Sequence, residues 1–369
     1  MPSITFMKNS ASEIFCLNHQ AAYQHAFRFI RQLAIHLRNS MKLKTKVCHN
    51  SNIHALLKRF ICRTQESYKQ VYNWQYVHAI DFWSLVLARA CEVQGSTGDV
   101  KNEDMRPLIY PLVQIATGAI KYVTHMSNFI SNLTSLAYLH SLISHPRSYA
   151  FHLHIIRSLI HLTKHTNTYI PLTPHLLLLL TTTLTHTKSK ASTLRPLDFE
   201  TTLRVPQQYI NTHVYAESLV HEAAFLTAEW LSARVVHSSI AFPELVVPIV
   251  ASLRRSRKVA HNRPKVSATV KVLVERIEES ARWASQHRTG VSFAPGKTAS
   301  VGLWEAGLEL DDAPLIKYAR VLRKTRDKQR ELVEKVHIRS PLPLDDFLFK
   351  HRTSRPERAR MKCLKSKNA

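Results

Sequence analysis

The sequence predicts an all-α protein, and three observations lead to this fold class. The 369-residue chain contains only 7 glycines, which argues against a β-sandwich rich in tight turns. Hydrophobic residues make up 45% of the chain and recur at helical spacing over long stretches. Prolines stand where helices are expected to begin, because a proline in the first turn of a helix loses no hydrogen bond. These prolines are Pro107, Pro111, Pro171, Pro174, Pro243 and Pro264.

The N-terminal part is predicted to hold two long helices and a partner helix. Residues 21–40 form an amphipathic helix, and residues 1–18 supply its partner. Residues 67–93 form the second long helix, with aromatic side chains on more than one face. Stacked aromatic rings can bind bases, but their helical spacing favours a place in the core. The apolar stripe of the first helix consists of Tyr23, Phe27, Ile30, Leu33 and Leu37.

The remaining helices are predicted from the same apolar spacing. Polar loops or linkers are expected at 94–103, 185–208 and 291–308, and Asp312 is expected to cap the last helix. Asp81, inside the aromatic helix, is expected to find a basic partner. The predicted helices cover residues 107–121, 148–166, 170–183, 211–238, 242–258, 264–288 and 314–336.

Proline-started helices near Pro111, Pro171 and Pro243 each follow an amphipathic helix. Paired helices of this kind predict an irregular HEAT- or armadillo-like helical-repeat solenoid, and an irregular helical bundle is the alternative. We expect the repeat domain at 1–288. A loop, a charged helix and a proline-broken link follow at 289–349, and a basic, disordered tail ends the chain at 350–369.

Residues 242–258, FPELVVPIVASLRRSRK, show the pattern of the whole chain. Pro243 suits the first turn of a helix, and Pro248 predicts a kink. Apolar residues at helical spacing give one wide face to pack on neighbouring helices. The stretch then ends in cations, which the helix dipole favours at this position. These cations are Arg254, Arg255, Arg257 and Lys258.

The charge of the chain favours a polyanionic partner. Lys and Arg number 51 against 26 Asp and Glu, a formal net charge of +25. Such an excess opposes compaction through self-repulsion and is typical of nucleic-acid binding. A generic basic surface, dipole compensation at 254–258 and a merely solvated tail are the alternatives. The candidate RNA-contacting residues of the tail are Arg355, Arg358, Arg360, Lys362, Lys365 and Lys367.

The sequence offers no set of residues for catalysis, a metal or a cofactor. Residues 290–298, GVSFAPGKT, resemble a phosphate loop, but five residues instead of four separate Gly290 from Gly296, and a predicted helix precedes them. His154, His161 and His165 share one helix face without the H-E-x-x-H spacing of zinc enzymes. No segment has the length and apolar purity of a membrane span. We therefore predict a non-enzymatic protein with no small-molecule substrate.

Several stretches of the chain resemble the nucleolar complex protein 2 family. They are AYQHAFRFIRQLAIHLRNSM at 22–41, SYKQVYNWQYVHAIDFW at 67–83, LIYPLVQIATGAIK at 108–121, the helix around HLHIIRSLIHL, YIPLTPHLLLLL and FPELVVPIVASLRRSRK. A later element combines Arg288 with Val291 and Phe293. The resemblance runs from about residue 6 to about residue 336. The residues of these motifs expected to have structural roles are Tyr72, Trp74, Tyr76, Pro111, Pro243, Glu244 and Leu245.

The resemblance implies a helical-repeat factor that assembles large ribosomal subunit precursors in the nucleolus and nucleoplasm. It also implies pairing with the sister nucleolar complex proteins 1 and 3 and no catalysis. The apolar helix faces would pack on a partner solenoid, and the basic edges would contact pre-ribosomal RNA. The alternative is a transport or chromatin adaptor that binds peptides on the same solenoid.

The chain departs from the family pattern at two segments. Residues 47–63 intervene between the LRNSMK and SYKQVYNW stretches, and residues 122–145 intervene between GAIK and SYAFHLHIIRSL. We interpret both as candidate inserts, either translated introns or a lineage-specific addition. Spliced messages that contain both segments in frame would exclude introns. The charged N-terminal region of the family is also missing, so a misplaced start codon is expected.

Overall fold

The computed structural model describes residues 2–41, 67–94, 99–100, 103–134, 146–185, 190–260, 263–289, 291, 293 and 296–339. Over these residues the protein is all-α apart from one very short strand pair, which confirms the predicted fold class. The chain divides into two units, Met1–Ala319 and Arg320–Ala369. The candidate insert at 47–63, the link at 340–349 and the tail at 350–369 lie outside the described residues.

The described elements are one strand pair, three short 3-10 helices and a succession of α-helices. Strand β1, Val93–Gln94, pairs antiparallel with β2, Asp99–Val100, where the sequence predicts only a loop. Short 3-10 helices lie at Glu103–Leu108, Pro146–Ser148 and Gln207–Tyr209. The α-helices are α1 Pro2–Phe15, α2 His19–Met41, α3 Trp74–Ala90, α4 Ile109–Thr134, α5 Tyr149–Thr166, α6 Thr173–Thr185, α7 His213–Leu231, α8 Arg234–His237, α9 Phe242–Val259, α10 Pro264–Arg288, α11 Thr298–Gly307 and α12 Pro314–Arg339.

The buried face of α2 differs from the predicted stripe in its first turns. Ile30, Leu33 and Leu37 are buried as predicted, but Phe27 is 50% exposed and Tyr23 is only half-buried. The buried positions there are alanines, which allow neighbouring helices to approach more closely than large rings would. These alanines are Ala22 and Ala26. The large rings therefore lie beside the contact and leave Phe27 in solvent.

The predicted single helix over 67–93 is wrong, because the chain bends at Tyr72 and Asn73. Residues 67–71 are helical, and α3 then starts afresh at Trp74. Asn73 has an extended backbone, and its side-chain oxygen accepts the N–H of Tyr76 at 2.7 Å. This is an N-cap, which satisfies a backbone donor that the first turn of a helix leaves without a partner. The aromatic residues are mostly core, since Tyr68, Tyr72, Tyr76 and Trp83 are buried.

Most of the prolines predicted to start helices lie in a first turn, but Pro107 lies inside a 3-10 helix and Pro171 precedes α6, which begins at Thr173. Both α9 and α10 carry proline in their first turn, at Pro243 and Pro264. Pro111 is the third residue of α4, which follows directly on a 3-10 helix. The fixed backbone angle of proline suits this position, where its missing N–H has no partner to lose.

Three predictions for the C-terminal half are wrong. The helix predicted over 211–238 ends at Leu231, and α8 follows after Ser232 and Ala233. Helix α11 lies inside the loop predicted over 291–308. Asp312 does not cap α12: its carboxylate pairs with Lys317 at 3.0 Å. The hydroxyl oxygen of Ser280 on α10 accepts the N–H of Leu315 at 2.8 Å instead, so a neighbouring helix supplies the cap.

The core of the first unit lies between packed helices, several of which are not adjacent in the chain. Helix α3 packs on α5, α6 packs on α7 and α9, and α10 packs on α7 and α9. Phe151, Trp230 and Phe242 are among the largest fully buried side chains. The indole N–H of Trp230 donates to the carbonyl oxygen of Ile170 at 3.0 Å. The interpretation of this packing as a repeat solenoid stays a prediction.

The second candidate insert begins inside a packed helix. Helix α4 continues past residue 121 to Thr134, and Tyr122 and Val123 are buried. The hydroxyl group of Tyr122 donates to the carbonyl oxygen of Ser40 at 3.2 Å. The start of this segment is thus part of the core, residues 135–145 lie outside the description, and the origin of the segment stays a prediction.

The described part of the second unit is residues 320–339 of α12. Its sequence mixes basic residues with Asp327, Glu331 and Glu334. Val321, Leu332 and Val333 are each more than half exposed.

Candidate functional site

The predicted cationic cluster lies in the last turn and a half of α9. Arg254, Arg255 and Lys258 are exposed and Arg257 is half-buried. Arg254 pairs with Glu278 of α10, with 2.5 Å between Nη2 and Oε1. The other three cations form no ion pair with a described residue. The fold therefore neutralises one of the four predicted cations and leaves three available to an anion.

The opposite end of α9 holds a long-range ion pair between two resemblance motifs. Arg288, at the end of α10, places Nη2 at 2.7 Å and Nη1 at 3.0 Å from the two carboxylate oxygens of Glu244. Its Nη1 also donates to the carbonyl oxygen of Ile240 at 2.9 Å. The hydrogen bond from Arg288 lowers the pKa of Glu244 and raises the pKa of Arg288 itself. The pair holds the start of α9 against the end of α10.

A buried arginine fixes the connection between α9 and α10. Arg263 is 7% exposed, and its Nη1 donates to the carbonyl oxygen of Thr183 at 3.0 Å. Burial lowers the pKa of Arg263. Thr183 lies in the last turn of α6, where helix carbonyl groups lack intrahelical partners and a cation is favourable. Arg263 therefore joins three helices and is not available to a ligand.

The aromatic motif residues hold neighbouring segments together. The hydroxyl oxygen of Tyr72 lies 3.1 Å from the carbonyl oxygens of both Arg147 and Leu203, and the guanidinium group of Arg204 lies 5.0 Å from its ring centroid. Burial raises the pKa of Tyr72 to about 12. These contacts hold the 190–212 linker against the start of α5, which is a structural role.

Tyr76 and Trp74 differ in how deeply they are buried. The hydroxyl group of Tyr76 donates to the carbonyl oxygen of Leu33 at 3.2 Å, and burial raises its pKa. Trp74 is half-buried between His78 and His154, at centroid distances of 5.2 and 4.9 Å. Leu245, the last predicted motif residue, is half-buried on α9. The ring of Tyr76 is buried and the ring of Trp74 stacks on His78, so neither ring is fully open for base stacking.

Helices α5 and α7 are joined by two ion pairs that sequence reasoning missed. Glu222 accepts from Arg157 at 2.6 Å, and Glu229 pairs with Lys164. Both glutamates are buried and both cations are partly exposed. The cations are seven residues apart on α5, and the glutamates are seven residues apart on α7. This shared spacing of two helical turns is the signal that could have revealed the pairing.

Asp81 has the basic partner that the sequence predicts. Lys8 of α1 pairs with its carboxylate, and the hydroxyl group of Ser158 on α5 donates to it at 2.8 Å. One carboxylate thus joins α1, α3 and α5. With both oxygens engaged in structural contacts, Asp81 is not placed as a catalytic base.

The three histidines of α5 that the sequence places on one face do not converge on one point. The rings of His161 and His165 lie 4.4 Å apart, whereas His154 lies against Trp74. Burial lowers the pKa of His154 and of His161 to about 4. In the part of the chain that the structure describes, no group of three or more His, Cys, Asp or Glu is placed to hold a metal ion. Over the same residues no helix is long and apolar enough to cross a bilayer.

Comparison with known proteins decides the family. The model of the Noc2p family matches residues 1–142 and 125–322, which together cover most of the chain. This chain belongs to the Noc2p family. The two matched segments overlap within the second candidate insert, and the Noc2p match includes α1 to α11 as well as the start of α12.

Relatives of this Noc2p chain occur in fungi, animals and plants. A NOC2 family protein of Schizosaccharomyces pombe is 34% identical over 90% of this chain and 41% of its own length. Nucleolar complex protein 2 of Drosophila melanogaster is 31% identical over 89% of this chain and 37% of its own. Nucleolar complex-associated protein 2 of Arabidopsis thaliana is 26% identical over 90% of this chain and 37% of its own length. The chain therefore spans about two fifths of the length of these relatives.

Proposed function

We propose that this chain is a non-catalytic ribosome-assembly scaffold. It acts in the nucleolus and nucleoplasm on the maturation and intranuclear transport of large ribosomal subunit precursors. It binds pre-ribosomal RNA through cations and the sister nucleolar complex proteins 1 and 3 through helix faces. Membership of the Noc2p family and the nucleolar names of its relatives support this role.

One observation carries the RNA-binding part of the proposal. Arg255, Arg257 and Lys258 end α9 without an ion pair to any described residue, while Arg254 beside them is paired with Glu278. Cations that the fold does not neutralise can neutralise RNA phosphates and release the counterions condensed around the RNA. The helix dipole also favours positive charge at this end, and dipole compensation is the alternative that the variants below test.

We also infer that the helices stack as HEAT- or armadillo-like repeats. Packing of α6 on α7 and α9, and of α10 on α7 and α9, supports a succession of neighbouring helices. In such stacks each repeat contacts only the repeats beside it, and the outer faces are left for partners. This arrangement would let a partner solenoid dock without competing with RNA at the end of α9.

Affinity purification tests the proposed function. The full chain is tagged, purified under native conditions, and analysed by sequencing of bound RNA and by mass spectrometry. The proposal predicts large-subunit precursor RNA together with nucleolar complex proteins 1 and 3. Recovery of import receptors or histones without precursor RNA would instead favour a peptide-binding adaptor.

A pair of variants assigns the RNA contact to α9. R255Q/R257Q/K258Q removes the three cations without an ion pair, and we expect it to reduce the recovered precursor RNA by about tenfold or more. R254Q/E278Q is the matched control, because it removes a cation together with its acid and leaves the net charge unchanged. Equal RNA recovery with the two variants would refute the role of the α9 cluster.

A further inference from the structure

A second cationic surface lies on α2, far along the chain from the end of α9. Helix α2 contains three arginines and neither Asp nor Glu. Arg28, Arg31 and Arg38 are all exposed. Arg31 and Arg38 are seven residues apart, so they lie on one face about 10 Å apart along the axis. Arg28 lies one turn before Arg31 on the same side. We call these three residues the α2 arginine row.

No acid among the described residues pairs with the α2 arginine row. The structure records no ion pair between these arginines and any described residue. The one carboxylate of the adjacent helix α1, Glu13, pairs with Arg89 of α3. On other helices the pattern differs: on α10, for example, Arg276 pairs with Glu279 at 2.5 Å.

Stability of the free protein does not explain the α2 arginine row. Arg28 and Arg31 are in the middle of the helix, outside the last turn in which the dipole favours a cation. They are three residues apart, where like charges on a helix repel each other. The row therefore carries unneutralised charge that opposes folding, as expected for a surface that is neutralised by a bound anion.

An exposed aromatic ring, stacked on a half-buried one, lies next to the arginines. Tyr23 and Phe27 stack with centroids 6.4 Å apart and planes 12° apart, and Phe27 is 50% exposed. Beyond them an open depression of about 190 Å³ is lined by Arg31, Ala34, Ile35 and Arg38. An apolar floor between two guanidinium groups can receive a flat ring, and an exposed phenylalanine offers a stacking face.

We propose that the face of α2 formed by Tyr23, Phe27 and the α2 arginine row binds single-stranded RNA. The arginines contact successive phosphates, and Phe27 and the depression receive unpaired bases. Aromatic faces beside arginines fit RNA better than an acidic protein segment, which needs the charges but not the rings. This surface goes beyond the proposed site on α9, since it lies on another helix and uses base stacking.

Fluorescence anisotropy with two labelled probes tests this assignment on the full chain. The probes are a 20-nucleotide single-stranded RNA of mixed sequence and an RNA duplex of equal length. R28Q/R31Q/R38Q is compared with K69Q/R106Q/R195Q, which removes the same charge from exposed residues scattered over the surface. Circular dichroism confirms that each variant is helical, and R28K/R31K/R38K keeps the charge if glutamine disturbs the fold.

We expect R28Q/R31Q/R38Q to bind the single-stranded probe about 100-fold more weakly at 0.1 M salt. Each phosphate contact to a single strand contributes about 0.7 to the slope of log affinity against log salt, so this slope falls by about 2. The scattered control stays within about threefold of the unaltered chain, and the lysine variant retains the slope. Equal affinities of the triple variant and the scattered control would overturn the proposal.

Two further comparisons distinguish base stacking on Phe27 from charge attraction, and RNA binding by α2 from RNA binding by α9. F27A weakens binding of the single strand at least fivefold and leaves the duplex unchanged, because a duplex has no free base to stack. An equal loss for both probes would overturn the stacking role.

R255Q/R257Q/K258Q is measured in parallel. If this variant alone loses affinity for RNA, RNA binding belongs to α9 and the α2 assignment fails. If an acidic peptide, but not RNA, loses affinity with R28Q/R31Q/R38Q, the surface binds protein.

Discussion

Two fully buried histidines predict that the protein loses stability at acidic pH. His152 and His237 are 1% and 0% exposed. Burial lowers the pKa of His152 to about 3 and that of His237 to about 4. Neither ring nitrogen of His237 has a hydrogen-bond partner among the described residues. Both side chains therefore stay neutral in the folded protein at a pH where the unfolded chain already binds a proton.

The sign and size of the pH effect follow from these pKa values. The folded pKa is depressed, so the stabilisation is complete above the unfolded value of 6.5 and is lost as pH falls toward 4. Between pH 7 and pH 5 each histidine removes about 2 kcal/mol from the free energy of unfolding. The two together remove about 4 kcal/mol, a large part of the 5–15 kcal/mol that is typical of proteins.

A single substitution isolates the contribution of His237. The free energy of unfolding is measured by urea titration at pH 7 and at pH 5. Its decrease between the two pH values should be about 2 kcal/mol smaller in His237→Leu than in the unaltered chain. Phe242→Leu is the control: Phe242 stacks on His237 at 4.4 Å but does not titrate, so this variant should be less stable by a similar amount at every pH. An identical pH dependence of His237→Leu and the unaltered chain would refute the reasoning.

Three substitutions, each measured by urea unfolding, test the contacts that hold the helices. Asn73→Ala should lower the free energy of unfolding by about 1 kcal/mol through loss of the α3 cap, whereas Asn73→Asp should not; equal losses would contradict a capping role. Glu222→Ala should cost about 3 kcal/mol because Arg157 is left partly buried without its acid, and a cost under ~1 kcal/mol would show that solvent screens the pair. Trp230→Phe should cost about 2 kcal/mol through a cavity and the lost bond to Ile170; an unchanged midpoint would count against that packing.

The sequence predicts best where backbone chemistry and apolar spacing agree. Helix α10 runs over Pro264–Arg288, the same bounds that the proline and the apolar period indicate. The break before α3 was missed because the aromatic pattern continues across it, although Asn73 is itself a common capping residue. Helix α11 was missed because it buries none of its residues and so has no apolar period to detect.

Long-range contacts of the candidate site could not be predicted from the sequence. Glu244 and Arg288 are 44 residues apart, and only the packing of α9 on α10 brings them together. For the same reason the sequence did not reveal that Glu278 neutralises Arg254. The sequence contains the three arginines of α2, but it does not show that they form no ion pair with any residue that the structure describes.

Crosslinking between protein and RNA tests most directly whether the cations without acidic partners contact RNA. The tagged chain is irradiated with ultraviolet light in cells, and the crosslinked peptides are located by mass spectrometry. We predict crosslinks to large-subunit precursor RNA in peptides from 19–41 and from 242–260. Crosslinks confined to a helix whose lysine and arginine are paired with acids, such as α5, would contradict this.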